Sequence, residues 1–207
     1  MKYIFSQTVR DKNYCEFSLL DGDRSYGMMH IEEGAVMGLR RLRGSFFGRD
    51  FFMENGKLEG ISYPKESDPY RISYDNGKFG TVYQVEKKTG FLKSYIYRQI
   101  LLAEGSFEAY PMMLGEEGTK VPVYRDGVQV ALVEKDMTVI GDMHYYNVYA
   151  ADETAALAAA FLCCYQYAFS AFKPHVTVNP GHIHKAFGKD TNKELLSMYD
   201  PDFINRI

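Results

Sequence analysis

Residues 152–174 read Asp152-Glu-Thr-Ala-Ala-Leu-Ala-Ala-Ala-Phe-Leu-Cys-Cys-Tyr-Gln-Tyr-Ala-Phe-Ser-Ala-Phe-Lys-Pro174, and this stretch decides the fold. Small and apolar side chains leave it almost no polar face. A helix that is apolar all round must be surrounded, either by protein or by lipid. Both ends are punctuated. Asp152 is a good N-cap, and Glu153 suits the positive end of the helix dipole. Lys173 suits the negative end, and Pro174 stops the helix. The spacing therefore predicts a helix over Glu153–Phe172.

Upstream of it, from Met1 to about Tyr149, hydrophobicity alternates with a period of two and is broken repeatedly by turn dipeptides. Phe17–Leu20 runs into Asp21-Gly22-Asp23, and Phe51–Met53 into Asn55-Gly56-Lys57 before Leu58–Tyr63. Arg71–Tyr74 leads to Asp75-Asn76-Gly77, and Thr81–Glu86 to Thr89-Gly90. The clearest hairpin is Val121-Pro-Val-Tyr-Arg-Asp126-Gly127-Val-Gln-Val-Ala-Leu-Val133. Asx-Gly pairs supply the positive φ that tight hairpin turns require. Turn signals every 8 to 12 residues or so point to an all-β sandwich or barrel of about a dozen strands. Tyr63–Pro69, with its two prolines, reads as a connection between two halves of one sheet system.

Composition fits this class. The chain has 207 residues, of which 46% are hydrophobic and 25% charged, and its aromatics are 17 Tyr and 14 Phe with no Trp. A net charge of −3 gives no global attraction to nucleic acid or anionic membrane, so any such contact must be local. Three cysteines (Cys15, Cys163 and Cys164) lack disulfide-like spacing, which suggests a reducing compartment. With no basic start followed by an apolar run, the N-terminus does not read as a secretory signal, and the expected location is the cytoplasm.

About 20 apolar residues would also span a bilayer core, so a single-pass anchor is the alternative for the helix. Three features favour protein around it. Alanine lets a sheet wall approach closely, and Gln166 sits mid-segment where lipid would penalise it. The flanks carry no one-sided cluster of Lys and Arg. A barrel of a dozen strands is too wide for wall side chains alone to fill, and a helix of small residues fills it. The expected architecture is a mainly β, roughly twelve-stranded antiparallel barrel enclosing a hydrophobic central helix. It spans residues 1–173, and residues 174–207 form an extension. In that extension Thr191-Asn-Lys-Glu194 is a capping-box pattern opening a short helix through Leu195–Tyr199.

The run KVPVYRDGVQVALVEKDMTVIGDMHYYNVYAADETAALAAAFLCCYQYAF, residues 120–169, resembles the C-terminal part of tubby-like domains. It is most similar to the LURP-one-related branch, itself akin to phospholipid scramblases. The resemblance extends over residues 1–172 in strand cadence and over the last third in wording. It implies a twelve-stranded antiparallel barrel closed around a C-terminal hydrophobic helix, and peripheral contact with anionic phospholipid head groups. The phosphoinositide-binding residues of tubby proteins have no residue-by-residue match here, and the scramblase calcium motif is absent.

Candidate chemistry is sparse. Arg40, Arg41 and Arg43, with Arg49 after Ser45-Phe46-Phe47-Gly48, could bind phosphate through their guanidinium groups beside lipid-facing phenylalanines. The competing reading is a solvated strand edge whose charges discourage aggregation. His175, His182 and His184 lie in the tail, and the alternation of a strand would put His182 and His184 on one face. Two imidazoles do not complete a Zn²⁺ site without further ligands. The thiols sit in apolar surroundings that raise thiol pKa, and no nucleophile elbow or P-loop occurs. No catalytic set emerges and no cofactor is implied. The expectation is a non-enzymatic binding or scaffold domain whose partner is anionic membrane lipid or another protein, not nucleic acid. The alternatives are a metal-dependent protein or enzyme using the tail histidines, and a membrane-anchored β-domain.

Overall fold

The computed structural model describes residues 1–10, 14–33, 40–88, 94–113, 119–135, 143–169 and 197–207. Its strands, in chain order, are β1 Lys2–Arg10, β2 Tyr14–Asp21, β3 Arg24–Glu33, β4 Arg40–Phe46, β5 Arg49–Asn55, β6 Tyr70–Tyr74 and β7 Lys78–Lys88. There follow β8 Ser94–Leu102, β9 Gly105–Ala109, β10 Met112–Met113, β11 Thr119–Arg125, β12 Val128–Lys135 and β13 Tyr145–Ala150. The helix α1 spans Glu153–Phe169.

Every strand pairing is antiparallel. From β1 to β9 the strands are neighbours in sequence order, while β13 pairs with β1, β12 with β13 and β11 with β12. A further pairing of β11 with β9, through Val123↔Ala109 and Tyr124↔Glu108, closes a ring of twelve strands. The two-residue β10 lies beside β11. Among the described residues this pairing closes the sheet into a ring, which limits the open edge through which β-proteins aggregate.

The period-two pattern sets the inside and the outside. Phe17 and Leu19 on β2, Met29 and Ile31 on β3, and Leu42 and Phe46 on β4 are buried and belong to one core. Their sequence neighbours point outward. Hairpin turns fall where Asx-Gly pairs predict them. Asp126 and Gly127 have φ of 53° and 76°, the left-handed pair that a two-residue turn needs to match strand twist. Asp75 and Asn76 also adopt positive φ between β6 and β7.

Asn55-Gly56 behaves differently. It ends β5, but Leu58–Tyr63 does not return as a strand; residues 56–69 form a connection before β6. Gly56 N donates to Pro69 O at 2.8 Å, pinching the base of that connection. Tyr63 packs edge-on against Tyr83 of β7. The segment carries Pro64 and Pro69, which cannot donate to a ladder, so an Asx-Gly pair alone does not make a hairpin.

The helix fills the bore. From Ala155 through Tyr165 no residue is more than 1% exposed, so every face of α1 is covered. Phe161 meets Phe46, Phe51 and Tyr74 with ring centroids 6.1, 5.2 and 5.8 Å away. One turn further along the same face Tyr165 reaches Tyr70 of β6, and on another face Tyr167 reaches Phe17 of β2. The N-cap forms as expected, with Ala155 N donating to Asp152 Oδ1 at 2.7 Å. Among the described residues no helix is long and apolar enough to cross a membrane. Residues 170–172 of the expected helix, and Thr191–Glu194 of the capping box, lie outside the described residues. Residues 197 and 198 are helical, and Phe203–Arg206 form a 3-10 turn on the outer wall.

Candidate functional site on the outer wall

The four arginines singled out in the sequence separate in space. Arg41 and Arg43 alternate with buried Leu42 on β4, so both project from the outer wall. Arg41 Nε lies 3.6 Å from Glu54 Oε2 on β5. The Arg43 guanidinium stands over the Phe52 ring, 5.3 Å from its centroid. Arg40 is in β4 opposite Glu33, and its side chain lies outside the described atoms.

Arg71, which sequence reading passed over, completes the outer group. Register pairs Arg41 with Glu54 and Glu54 with Arg71, so three strands bring the two arginines to either side of one carboxylate. Arg71 Nε donates to Glu54 Oε1 at 2.8 Å. One row along, His30, Arg43, Phe52 and Ser73 succeed one another across β3 to β6. The strip thus carries three guanidinium groups around one described carboxylate and one ring. Arg71 lies far from β4 along the chain, and only the register across β5 brings it there.

Arg49 belongs to another place. It sits at the end of the barrel where α1 begins, 3.0 Å from Glu153 Oε1 and 3.9 Å from Glu104 Oε1. Lys78 Nζ is 3.0 Å from the same Glu104 oxygen and 2.7 Å from Asp75 Oδ2. The Tyr74 hydroxyl donates to Glu104 Oε2 at 2.5 Å and accepts from Ala103 N at 2.8 Å. Burial works against the charged form of Glu104, yet the bonds from Tyr74 and Lys78 hold its carboxyl below the usual range. The charges at this end pair with one another beside the helix start.

An open depression of about 540 Å³ adjoins this end, lined among others by Arg24, Tyr26, Phe47 and Glu153. Arg24 stacks over Tyr26 at 4.7 Å, and Tyr26 and Phe47 pack against Tyr3. Its arginine and its glutamate balance, so it has no net charge with which to draw in an anion.

Inside the barrel, polar groups satisfy each other at a bulge in β1 after Gln7. Gln7 Oε1 accepts from His144 N at 3.1 Å, Gln7 Nε2 donates to Cys15 Sγ at 3.0 Å, and Cys15 Sγ contacts the Tyr167 hydroxyl at 3.4 Å. Lys135 is buried with Nζ over the Tyr146 ring at 5.1 Å. Burial pushes the Cys163 and Cys164 thiols well above their ordinary pKa, so they are held protonated and unreactive. At the far end of the helix, Arg98 stands over the Tyr165 ring at 5.8 Å. It brings a cation near the last turn, where α1 has none of its own.

Among the described residues, no three His, Cys, Asp or Glu side chains converge to hold a metal ion. His175, His182 and His184 lie outside the described residues. The fold and the outer strip define a closed antiparallel barrel with a buried central helix and a basic, aromatic-backed stretch of wall. Comparison with protein-family models, curated proteins and solved structures returns no match.

Proposed function

We propose that this chain is a non-enzymatic binding domain whose outer wall contacts anionic phospholipid head groups through Arg41, Arg43 and Arg71. The observation that carries the reading is the exposed Arg43 guanidinium over Phe52, with no carboxylate within ion-pair distance among the described residues. A guanidinium backed by a ring keeps its fork of donors free for a phosphate oxygen pair. The bore is occupied by α1, so a ligand meets the wall rather than an interior cavity. Arg41 and Arg71 flank Glu54, with Glu32 opposite Arg41 in the register, so Arg43 is the cation of this strip best placed to meet an anion. Each cation near an anionic surface contributes about 1 kcal/mol, so this is peripheral and salt-sensitive binding.

Co-sedimentation with phosphatidylcholine vesicles containing a phosphoinositide tests the reading. Enrichment at low salt is expected, weakened by added salt and abolished in the Arg43→Gln/Arg71→Gln variant, which should keep the far-UV spectrum of the folded barrel. Equal recovery on phosphoinositide-containing vesicles and on phosphatidylcholine alone would remove the proposal.

A further inference from the structure

A second feature of the outer wall lies on the opposite arc, over β11–β13. Val121, Val123, Ala131, Val133 and Val148 face the core, so the alternate positions face out. Outward-facing Leu132 and Tyr149 are cross-strand partners, yet they are only 1% and 8% exposed. What covers them is the chain's own C-terminal segment. Phe203 is seated on Leu132 and Tyr149, with Tyr199 and Ile204 packed around the same group. Next to it Tyr95, Tyr110 and Tyr124 form a second outer cluster, against which Met198 packs. Burial pushes the Tyr124 hydroxyl up to about 12, with Tyr199 adding to the rise.

The segment does not extend the sheet. Its backbone is organised locally: Phe203 N donates to Asp200 O, Asn205 N to Asp202 O, and Asp202 N to Asp200 Oδ1. Arg206 pairs with Asp200 inside the same turn. Asp200 N donates to Gln129 Oε1 on the wall at 3.0 Å. A self-closed turn presenting one buried aromatic to an apolar patch of the wall has the form of a bound peptide. The segment belongs to the same chain as the wall it covers, 27 residues (170–196) beyond the described end of α1.

We propose that the outer face of β11–β13 is a peptide-docking surface, occupied in cis by residues 197–207. The partner it fits is a short peptide that presents an aromatic anchor followed by an aliphatic residue on an acid-rich Asp-Pro-Asp turn. Tethering gives the cis segment a high effective concentration, so a partner must bind more tightly than the tethered copy to displace it.

The test uses the full chain and a fluorescent synthetic peptide of residues 197–207. The Phe203→Ala chain should keep its far-UV spectrum, lose its own docked segment and bind the peptide saturably. The wild-type chain should exclude the peptide, and a peptide carrying the same Phe→Ala change should bind at least about tenfold more weakly, as loss of a buried aromatic anchor implies. Absence of peptide binding to a folded Phe203→Ala chain would overturn the proposal. Unfolding of that chain would also overturn it, because a detachable ligand leaves the barrel intact. A wild-type chain that runs as a dimer exchanging this segment would move the occupant to a second copy and overturn the cis assignment.

Discussion

The inside and the outside of this barrel are built by different rules. Inside, α1 and the inward wall residues pack closely: the alanines from Ala155 to Ala160 are fully buried, and Phe161 meets the rings of Phe46, Phe51 and Tyr74. Outside, neighbours are matched by charge and register, as with Arg41, Glu54 and Arg71. Shape matching in a closed interior leaves no side chain free to change without consequence. Charge matching on a solvated wall is loose, and function can be written there at small cost to stability. On the function proposed above, stability rests in the bore and recognition on the wall.

The largest effect that could break this contrast is expected at Phe161. Phe161→Ala removes a ring at the centre of the bore and should cost about 3–5 kcal/mol, read as a lowered urea midpoint with an unchanged slope. A loss no larger than that of a surface substitution would mean that the interior is not close-packed.

A smaller effect is expected at Asp152, on the boundary between the two regimes. Asp152 Oδ1 caps the helix, and Oδ2 lies 2.8 Å from Arg125. Burial works to raise its pKa, but the Ala155 N–H and Arg125 outweigh that and leave it lowered. A carboxyl lowered in the folded state stabilises above its unfolded pKa of about 3.9, and that stability is lost as pH falls through the folded value. Asp152→Ala should therefore cost about 1 kcal/mol at neutral pH and remove part of the acid-induced loss of stability. Asp152→Asn should retain the cap and lose only the pairing with Arg125. Equal pH profiles for wild type and Asp152→Ala, by urea titration across the acid range, would contradict this account.

Much of the fold was legible in the sequence because it rests on local chemistry. The twelve-strand barrel, the Asp126-Gly127 turn, the Asp152 cap and the enclosed helix all follow from period, turn chemistry and a missing polar face. Asn55-Gly56 misled because its turn signal is local, whereas the excursion of residues 56–69 depends on Tyr63 finding Tyr83 across the wall. The candidate site was less legible. Arg40, Arg41, Arg43 and Arg49 are neighbours in sequence, but alternation and the turn after Phe46 send Arg49 to the helix start and into pairing with Glu153. Arg71 joins Arg41 only through register across β5. The apolar patch under Phe203 was invisible for the same reason: only the register of β12 with β13 puts Leu132 and Tyr149 side by side on the outer face.

The central claim, that α1 is a helix enclosed by the barrel, is tested most directly by thiol accessibility. Cys163 and Cys164 sit on fully buried faces of α1, and Cys15 is buried against Tyr167. In native buffer a small thiol-reactive probe should label none of the three cysteines over the time in which the urea-denatured chain labels all three. Labelling should begin only at the concentration of urea that unfolds the whole barrel. Rapid native labelling of Cys163 or Cys164 would show that the helix is open to solvent and contradict the account.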